Sequence, residues 1–61
     1  MKNYFLTVFA PDGSSLLDET VQASSDQEAK ELGHKKLDEQ GYTEHTHRLV
    51  APEGHMVLFH R

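Results

Sequence analysis

Residues 25–41 read SDQEAKELGHKKLDEQG, and this stretch predicts one amphipathic helix with a boundary signal at each end. Ser25 is the predicted N-cap, because its hydroxyl can accept a hydrogen bond from an orphan amide of the first turn. Glu28, three residues further on, completes a capping box by reaching back to the Ser25 amide. Gly41 suits the left-handed position that follows a last helical turn. The helix should therefore span about 15 residues, or roughly 22 Å.

The apolar side of this helix is a narrow stripe. It follows the i, i+3, i+4, i+8 spacing of one helical face and consists of Ala29, Leu32, Gly33 and Leu37. A glycine inside a helix costs roughly 1 kcal/mol relative to alanine. Two interpretations of Gly33 stay open: it lets a sheet approach the helix backbone closely, or it is a tolerated weak position.

Two strands joined by a tight turn are expected before the helix. Residues 3–10 and 15–23 are rich in strand formers and alternate between apolar and polar side chains. Pro11-Asp12-Gly13 lies between them, and in such a turn Pro presets φ while Gly supplies a positive φ. The better apolar pattern directs four residues towards the helix: Leu6, Val8, Leu17 and Val21. The register stays open, because a bulge at Gly13 would shift it by one residue.

Two further strands are expected after the helix, at residues 44–50 and 55–60, with a turn at Pro52-Glu53-Gly54. The two hairpins echo each other, because VFAPDGSSLL at residues 8–17 resembles LVAPEGHMVL at residues 49–58. The echo indicates either an internal duplication of one hairpin or the common use of Pro-acid-Gly to close hairpins. Both interpretations give the same order of elements.

The predicted fold class is α+β, a ββαββ chain that forms a four-stranded, mainly antiparallel sheet with one helix packed on one face. Residues 1–61 are short enough to form only one small domain. Any parallel neighbour created by the crossover through the helix should be right-handed. The strand order does not follow from the sequence pattern.

Composition excludes several classes of protein. The net charge is −4 and the six basic residues are scattered, which disfavours binding to nucleic acid and to anionic membranes. The chain has no cysteine, so it has no disulfide framework and no thiolate site. No apolar run is long enough to span a bilayer, and the N-terminal run alternates instead of forming a signal peptide. We therefore expect a cytoplasmic protein.

Histidine is the first candidate for chemistry, because five occur in 61 residues. His45 and His47 lie two apart on a predicted strand, and the hairpin should bring His60 close to His47 across the ladder. Three neutral imidazoles on one face could bind Zn²⁺ or a similar metal and leave a coordination position open. The same cluster could instead titrate near pH 6 and alter assembly. The alternative is a polar stripe that binds no metal.

The uncovered face of the sheet is the second candidate. Phe5, Phe9 and Leu16 should lie on it, together with either Val57 and Phe59 or Leu58 and Met56. An apolar area of this size tends to mark an interface. We therefore expect a homodimer, or a complex with another protein, formed through this face or through a free sheet edge. The alternative is a curled sheet whose loops cover part of the area.

Catalysis is not expected. The sequence contains no nucleophile elbow and no glycine-rich phosphate loop. Asp18 and Glu19 alternate faces on their strand, so they do not form a pair of carboxylates directed at one bond. The chain is also too short to enclose a substantial pocket. The prediction is a non-enzymatic protein without a cofactor.

The opening YFLTVFAPDG at residues 4–13 and the helix around DQEAKELGHKKLDEQGY at residues 26–42, together with the length, carry a resemblance to a known family. On these features the whole chain resembles the YhzD-like family of small uncharacterised proteins from bacilli. The resemblance implies a small cytosolic bacterial protein. None of the matching features is a catalytic signature, so the family supplies no site residues for this chain.

Overall fold

The computed structural model describes residues 1–60, and its elements follow the order ββαββ. These elements are β1 (Lys2–Phe9), β2 (Ser15–Ala23), α1 (Asp26–Gln40), β3 (Thr46–Val50) and β4 (Met56–His60). All four strands join one sheet, which α1 covers on one face. The predicted α+β fold class is therefore confirmed.

The strand order is β2-β1-β3-β4, and every neighbouring pair is antiparallel. β1 is therefore a central strand, with one hairpin partner on one side and the second hairpin on the other. β2 and β3 run in the same direction but are separated by β1, so the crossover through α1 creates no parallel neighbours. Both edges of the sheet, β2 and β4, have no further strand in residues 1–60.

The helix begins and ends where the sequence predicts. Ser25 is extended at φ −151° and its Oγ accepts a hydrogen bond from the Glu28 amide at 3.2 Å. The returning bond differs from the capping-box prediction, because the Glu28 carboxylate accepts from the Ser24 amide at 3.0 Å. At the other end Gly41 is left-handed at φ 76°, and the Tyr42 amide donates to the Leu37 carbonyl at 2.8 Å. Both ends are thus satisfied by local backbone and side-chain groups.

The core lies between α1 and the inner face of the sheet. Its buried apolar residues are Tyr4, Leu6, Val8, Val21, Ala23, Ala29, Leu37, Leu49 and Ala51. Leu17 is half-buried against this core, so the predicted inner face is correct. Leu32 differs from its neighbours in the predicted stripe, because it is 36% exposed.

Gly33 is buried under the second hairpin. A Cβ atom built at this position would lie 3.3 Å from Cδ2 of Leu49 and 3.4 Å from Cδ1 of Leu58. The first distance is shorter than most carbon–carbon contacts in protein cores. The structure therefore supports the interpretation of Gly33 as a point of close approach between helix and sheet.

The two hairpins are built alike. In each turn the glycine has a positive φ, 92° at Gly13 and 103° at Gly54. The alanine before each proline donates across the turn, Ala10 to the Ser14 carbonyl at 2.7 Å and Ala51 to the His55 carbonyl at 2.8 Å. The two turns that resemble each other in sequence therefore also share an equivalent backbone hydrogen bond.

The shifts in strand register also fall at corresponding positions of the two hairpins. One falls between Val8 and Phe9, opposite the extra residue Leu16, and the other falls between Leu49 and Val50. The extra residue of the second hairpin is Val57, the position that corresponds to Leu16 in the echo. The bulge thus lies on the second strand of each hairpin rather than at the turn glycine.

Candidate interaction surface and histidine cluster

The face of the sheet that α1 leaves uncovered carries large apolar side chains. We define the outer face by its residues Phe5, Thr7, Phe9, Asp18, Thr20, Thr46, Arg48, Val50 and Phe59, which alternate with the core-facing residues of their strands. Phe5 is 46% exposed and Phe59 is 59% exposed. These fractions are high for aromatic side chains, which dominate the energetics of protein cores and interfaces.

One row of the outer face carries opposite charges on the two sides of β1. Thr7 is paired with Asp18 on β2 and with Arg48 on β3, and Arg48 is in turn paired with Phe59 on β4. The Arg48 guanidinium lies over the Phe9 ring at 5.2 Å from its centroid. This distance is typical of a cation–π contact. Arg48 and Phe9 also line a groove of about 420 Å³ together with Phe59.

Three of the four predicted interface residues share this face, namely Phe5, Phe9 and Phe59. Leu16 is the extra residue of the first bulge and is 41% exposed at the end of an edge strand. For β4 the sequence left two alternatives, Val57 with Phe59 or Leu58 with Met56, and the second bulge produces an arrangement that matches neither pair in full. Val57 and Leu58 both pack against the core, and Phe59 lies on the outer face. Simple alternation could not predict this, because the bulge interrupts it.

The second hairpin brings two of the predicted histidines together. His47 and His60 are direct partners across the ladder, and their rings stack with centroids 5.2 Å apart at an angle of 22°. His47 is only 5% exposed. Its Nδ1 lies 2.8 Å from the His45 carbonyl oxygen. A carbonyl can only accept, so Nδ1 carries a proton and the lone pair of the neutral ring is on Nε2.

The environment of His47 disfavours its charged form. Burial is the main cause and lowers the pKa of His47 below its ordinary value, while the hydrogen bond to the His45 carbonyl acts in the opposite direction. The nearby rings of His60 and His34 lower this pKa further. His47 therefore favours the neutral imidazole, the form that binds a metal or accepts a proton.

His45 is placed differently from the prediction, because it precedes β3 and does not lie in it. Its amide donates to the Tyr42 carbonyl at 3.0 Å, which closes a turn before the strand begins. Its ring meets the Tyr42 ring edge-on at 5.1 Å, and its buried Nδ1 has no hydrogen-bond partner in residues 1–60. Among the described residues no group of three or more His, Asp or Glu side chains is placed to hold a metal. A metal site at His45, His47 and His60 stays a prediction.

His34 is a member of the cluster that the sequence interpretation missed. It lies on α1 and lines a cavity of about 230 Å³ with His47 and His60. Its position one residue after Gly33 could have indicated that His34 lies near the second hairpin, because the helix approaches this hairpin closely at Gly33. The predicted apolar stripe of Ala29, Leu32, Gly33 and Leu37 does not include His34.

A second polar cluster joins three segments that are distant in sequence. The hydroxyl of the buried Tyr4 donates to Oδ1 of Asp26 at 2.6 Å, and Nε2 of His55 lies 2.8 Å from Oδ2 of the same residue. The bond to Asp26 raises the pKa of Tyr4 to about 12. The Tyr4 hydroxyl, followed by the His55 ring, lowers the pKa of Asp26. Lys2 and Glu53 form an ion pair at 3.2 Å nearby.

This second cluster ties the start of the helix to the central strand and to the second hairpin. Asp26 is in the first turn of α1, where the helix dipole also favours a carboxylate. No local sequence pattern predicts this cluster, because Tyr4 and Asp26 are 22 positions apart and His55 and Asp26 are 29 apart.

Fold and surface together define a small α+β domain with one covered and one open sheet face. The chain belongs to the YhzD-like family, since the family model described as "YhzD-like protein" matches residues 1–61. It is also 46% identical over 61 residues to "Uncharacterized protein YhzD" of Bacillus subtilis (strain 168), with 100% of each chain covered. No solved structure matches the chain. No helix within residues 1–60 has both the length and the apolar character needed to cross a membrane.

Proposed function

We propose that this protein is a non-enzymatic interaction module of the cytoplasm, which forms a homodimer through its outer face. The observation that carries the proposal is the exposure of Phe5 and Phe59 on one uncovered sheet face, which also carries Phe9. Monomeric proteins rarely leave a contiguous apolar patch rimmed by polar residues exposed to water. A second copy of the same face is an occupant of matching chemistry.

The charges of the outer face are self-complementary. Neighbouring strands are about 4.8 Å apart, so Asp18 and Arg48 lie at similar distances on opposite sides of β1. A two-fold axis parallel to β1 exchanges the two sides of the sheet. It therefore places Asp18 of one copy opposite Arg48 of the other, twice in each dimer. Such an isologous contact is the commonest way in which identical chains associate.

The size of the molecule limits the strength of this dimer. The accessible surface of the chain is 4014 Å². A standard interface buries about 800 Å² on each partner, which would be about a fifth of that surface. We therefore expect a dissociation constant on the order of micromolar.

Sedimentation velocity over a range of micromolar concentrations tests the proposal. The wild-type protein should shift from monomer to dimer as concentration rises, and Phe59→Gln should weaken the dimer by about tenfold because it removes exposed apolar area from the outer face. Leu32→Gln is the matched control, because Leu32 is also an exposed apolar residue but lies on α1. A wild-type monomer at high micromolar concentration, or equal effects of both variants, contradicts the proposal.

A second candidate function is metal binding or pH response at the histidine cluster. The observation in its favour is the buried His47. Its hydrogen bond to a backbone carbonyl leaves the lone pair of the neutral ring on Nε2, and the ring stacks on that of His60. Metal-ligating histidines are commonly oriented by such a bond. Zinc should then raise the melting temperature of the wild type but not of His47→Ala. Unchanged melting and unchanged histidine NMR shifts at stoichiometric zinc contradict metal binding.

A further inference from the structure

A groove of about 320 Å³ runs between the free edge of β2 and the helix. Its strand wall consists of Thr20, Val21 and Gln22. Its helix wall consists of Leu32, Lys35, Lys36 and Glu39, which follow the i, i+3, i+4, i+7 spacing of one helical side. The groove therefore combines an open strand edge with a row of side chains from one side of the helix.

Two observations distinguish this edge from the edge at β4. β2 is nine residues long, whereas β4 is five residues long. The groove beside β2 also contains Leu32, the one member of the apolar helix stripe that is not buried by the sheet. An edge strand presents unpaired amides and carbonyls at alternate residues. A strand added here would gain both backbone hydrogen bonds and an apolar contact.

The charged side chains of the groove determine which peptide sequences can be added along β2. Lys36 is already paired with Glu19, Nζ to Oε1 at 2.5 Å, so its charge is largely compensated. Lys35 forms no ion pair within the part of the chain that the structure describes, and it lies beside Leu32 in the groove wall. Glu39 lies further along the same wall, where its carboxylate would repel a second acidic side chain of an added peptide. One acidic side chain near Lys35 is therefore complementary, and a run of acidic residues is not.

We propose that this groove binds an extended peptide segment as a fifth strand along β2. One apolar side chain of the peptide contacts Leu32 and Val21, and an acidic side chain two positions away reaches Lys35. The spacing follows from the alternation of side chains along a strand, since only every second residue faces the groove. Strand addition at an exposed edge, with pockets for alternate side chains, is a common mode of peptide recognition.

The test is an NMR titration of ¹⁵N-labelled protein with two probe peptides, Ac-TTVTDTT-amide and Ac-TTDTVTT-amide, which cover both strand directions. At least one peptide should shift the amide signals of β2 and of Leu32 and Lys35. A peptide with Lys in place of Asp should bind at least about fivefold more weakly. A peptide N-methylated at alternate residues should not bind, because it cannot form the backbone ladder.

Two variants make the outcome specific to the groove. Leu32→Gln should weaken binding of the probe by at least about fivefold because it removes the apolar contact. Lys35→Glu should reverse the preference, so that the Lys peptide binds better than the Asp peptide. Absence of shifts at a large peptide excess, shifts confined to the outer face, equal binding of the Asp and Lys peptides, or binding of the N-methylated peptide overturns the proposal.

Phe59→Gln and Leu32→Gln separate this proposal from the homodimer. Phe59→Gln should leave peptide binding unchanged, because Phe59 lies on the outer face of the sheet. Leu32→Gln should leave the dimer unchanged, because Leu32 lies on the helix. Failure of the homodimer therefore appears in sedimentation without any change in the peptide titration, and failure of the peptide site appears only in the titration.

Discussion

Asp26 accepts hydrogen bonds from two residues that are distant from it in the chain, Tyr4 and His55. Its carboxylate thereby connects the central strand, the first turn of the helix and the turn of the second hairpin. Neither partner could be predicted from the sequence, because no local pattern encodes contacts between positions that far apart. The place of Asp26 in the first turn of α1, where the helix dipole favours a carboxylate, depends only on local sequence.

Removal of the Tyr4 hydroxyl should destabilise the protein. Tyr4→Phe keeps the ring in the core but leaves Asp26 with one partner fewer, so the melting temperature should fall by several degrees. Tyr42→Phe is the matched control, because no hydrogen bond of the Tyr42 hydroxyl is present in residues 1–60. Thermal unfolding followed by circular dichroism measures both. An unchanged melting temperature in Tyr4→Phe would show that the bond to Asp26 contributes nothing.

The pH dependence gives a second readout of the same contact. The folded pKa of Tyr4, about 12, is above the ordinary value of 10.0, so its contribution to stability is complete below pH 10 and is lost as pH rises towards 12. The folded pKa of Asp26 is below the ordinary 3.8, so its contribution is present above pH 4 and is lost on acidification. Between pH 10 and pH 12 the free energy of unfolding of Tyr4→Phe should therefore decrease less than that of the wild type.

His47 should make the fold sensitive to mild acid. Its folded pKa is lowered, mainly by burial, so below about pH 6.5 the unfolded chain binds a proton that the folded chain resists. The groups around its ring are His34 on α1 and His60 on β4. The urea midpoint of the wild type should decrease as the pH is lowered from 7 to 5, and the midpoint of His47→Asn should decrease less. His55→Asn is the control for general loss of a histidine, and an equal profile in both variants would contradict the assignment.

At the scale of elements, the helix was almost fully predictable and the sheet was only partly so. The caps at Ser25 and Gly41 depend on neighbouring residues, and local chemistry is sufficient to identify them. The bulges at Leu16 and Val57 could not be located, because a bulge depends on how two strands align. The strand order was equally inaccessible, since it depends on which side of β1 the second hairpin docks.

Gly33 tests how closely the helix and the second hairpin approach each other. Alanine gains roughly 1 kcal/mol of helix propensity, but its Cβ meets Leu49 at 3.3 Å, so the net change in unfolding free energy should be well below that gain. Leucine at this position should cost about 1–3 kcal/mol or more through overpacking. Urea denaturation measures both variants. A full 1 kcal/mol stabilisation by Gly33→Ala would show that the helix does not pack closely there.

At the scale of the whole molecule, one helix and one sheet leave an uncovered face. The sequence predicted this imbalance, because a single narrow apolar stripe cannot cover both faces of four strands. It could not predict the row that connects Asp18, Thr7 and Arg48, which exists only because β3 docks beside β1. The same docking leaves β2 at an edge and opens the groove beside Leu32.

The self-complementary charges of the outer face give the sharpest test of the homodimer. Asp18→Arg should weaken self-association because two arginines then face each other in each contact, and Arg48→Asp should weaken it because two aspartates do. A mixture of the two variants should form a heterodimer in which both contacts pair opposite charges, at least about tenfold tighter than either homodimer. Sedimentation of each variant alone and of the mixture measures this. A mixture no tighter than its components would contradict the two-fold axis along β1, since charges acting within one chain cannot be rescued by a second chain.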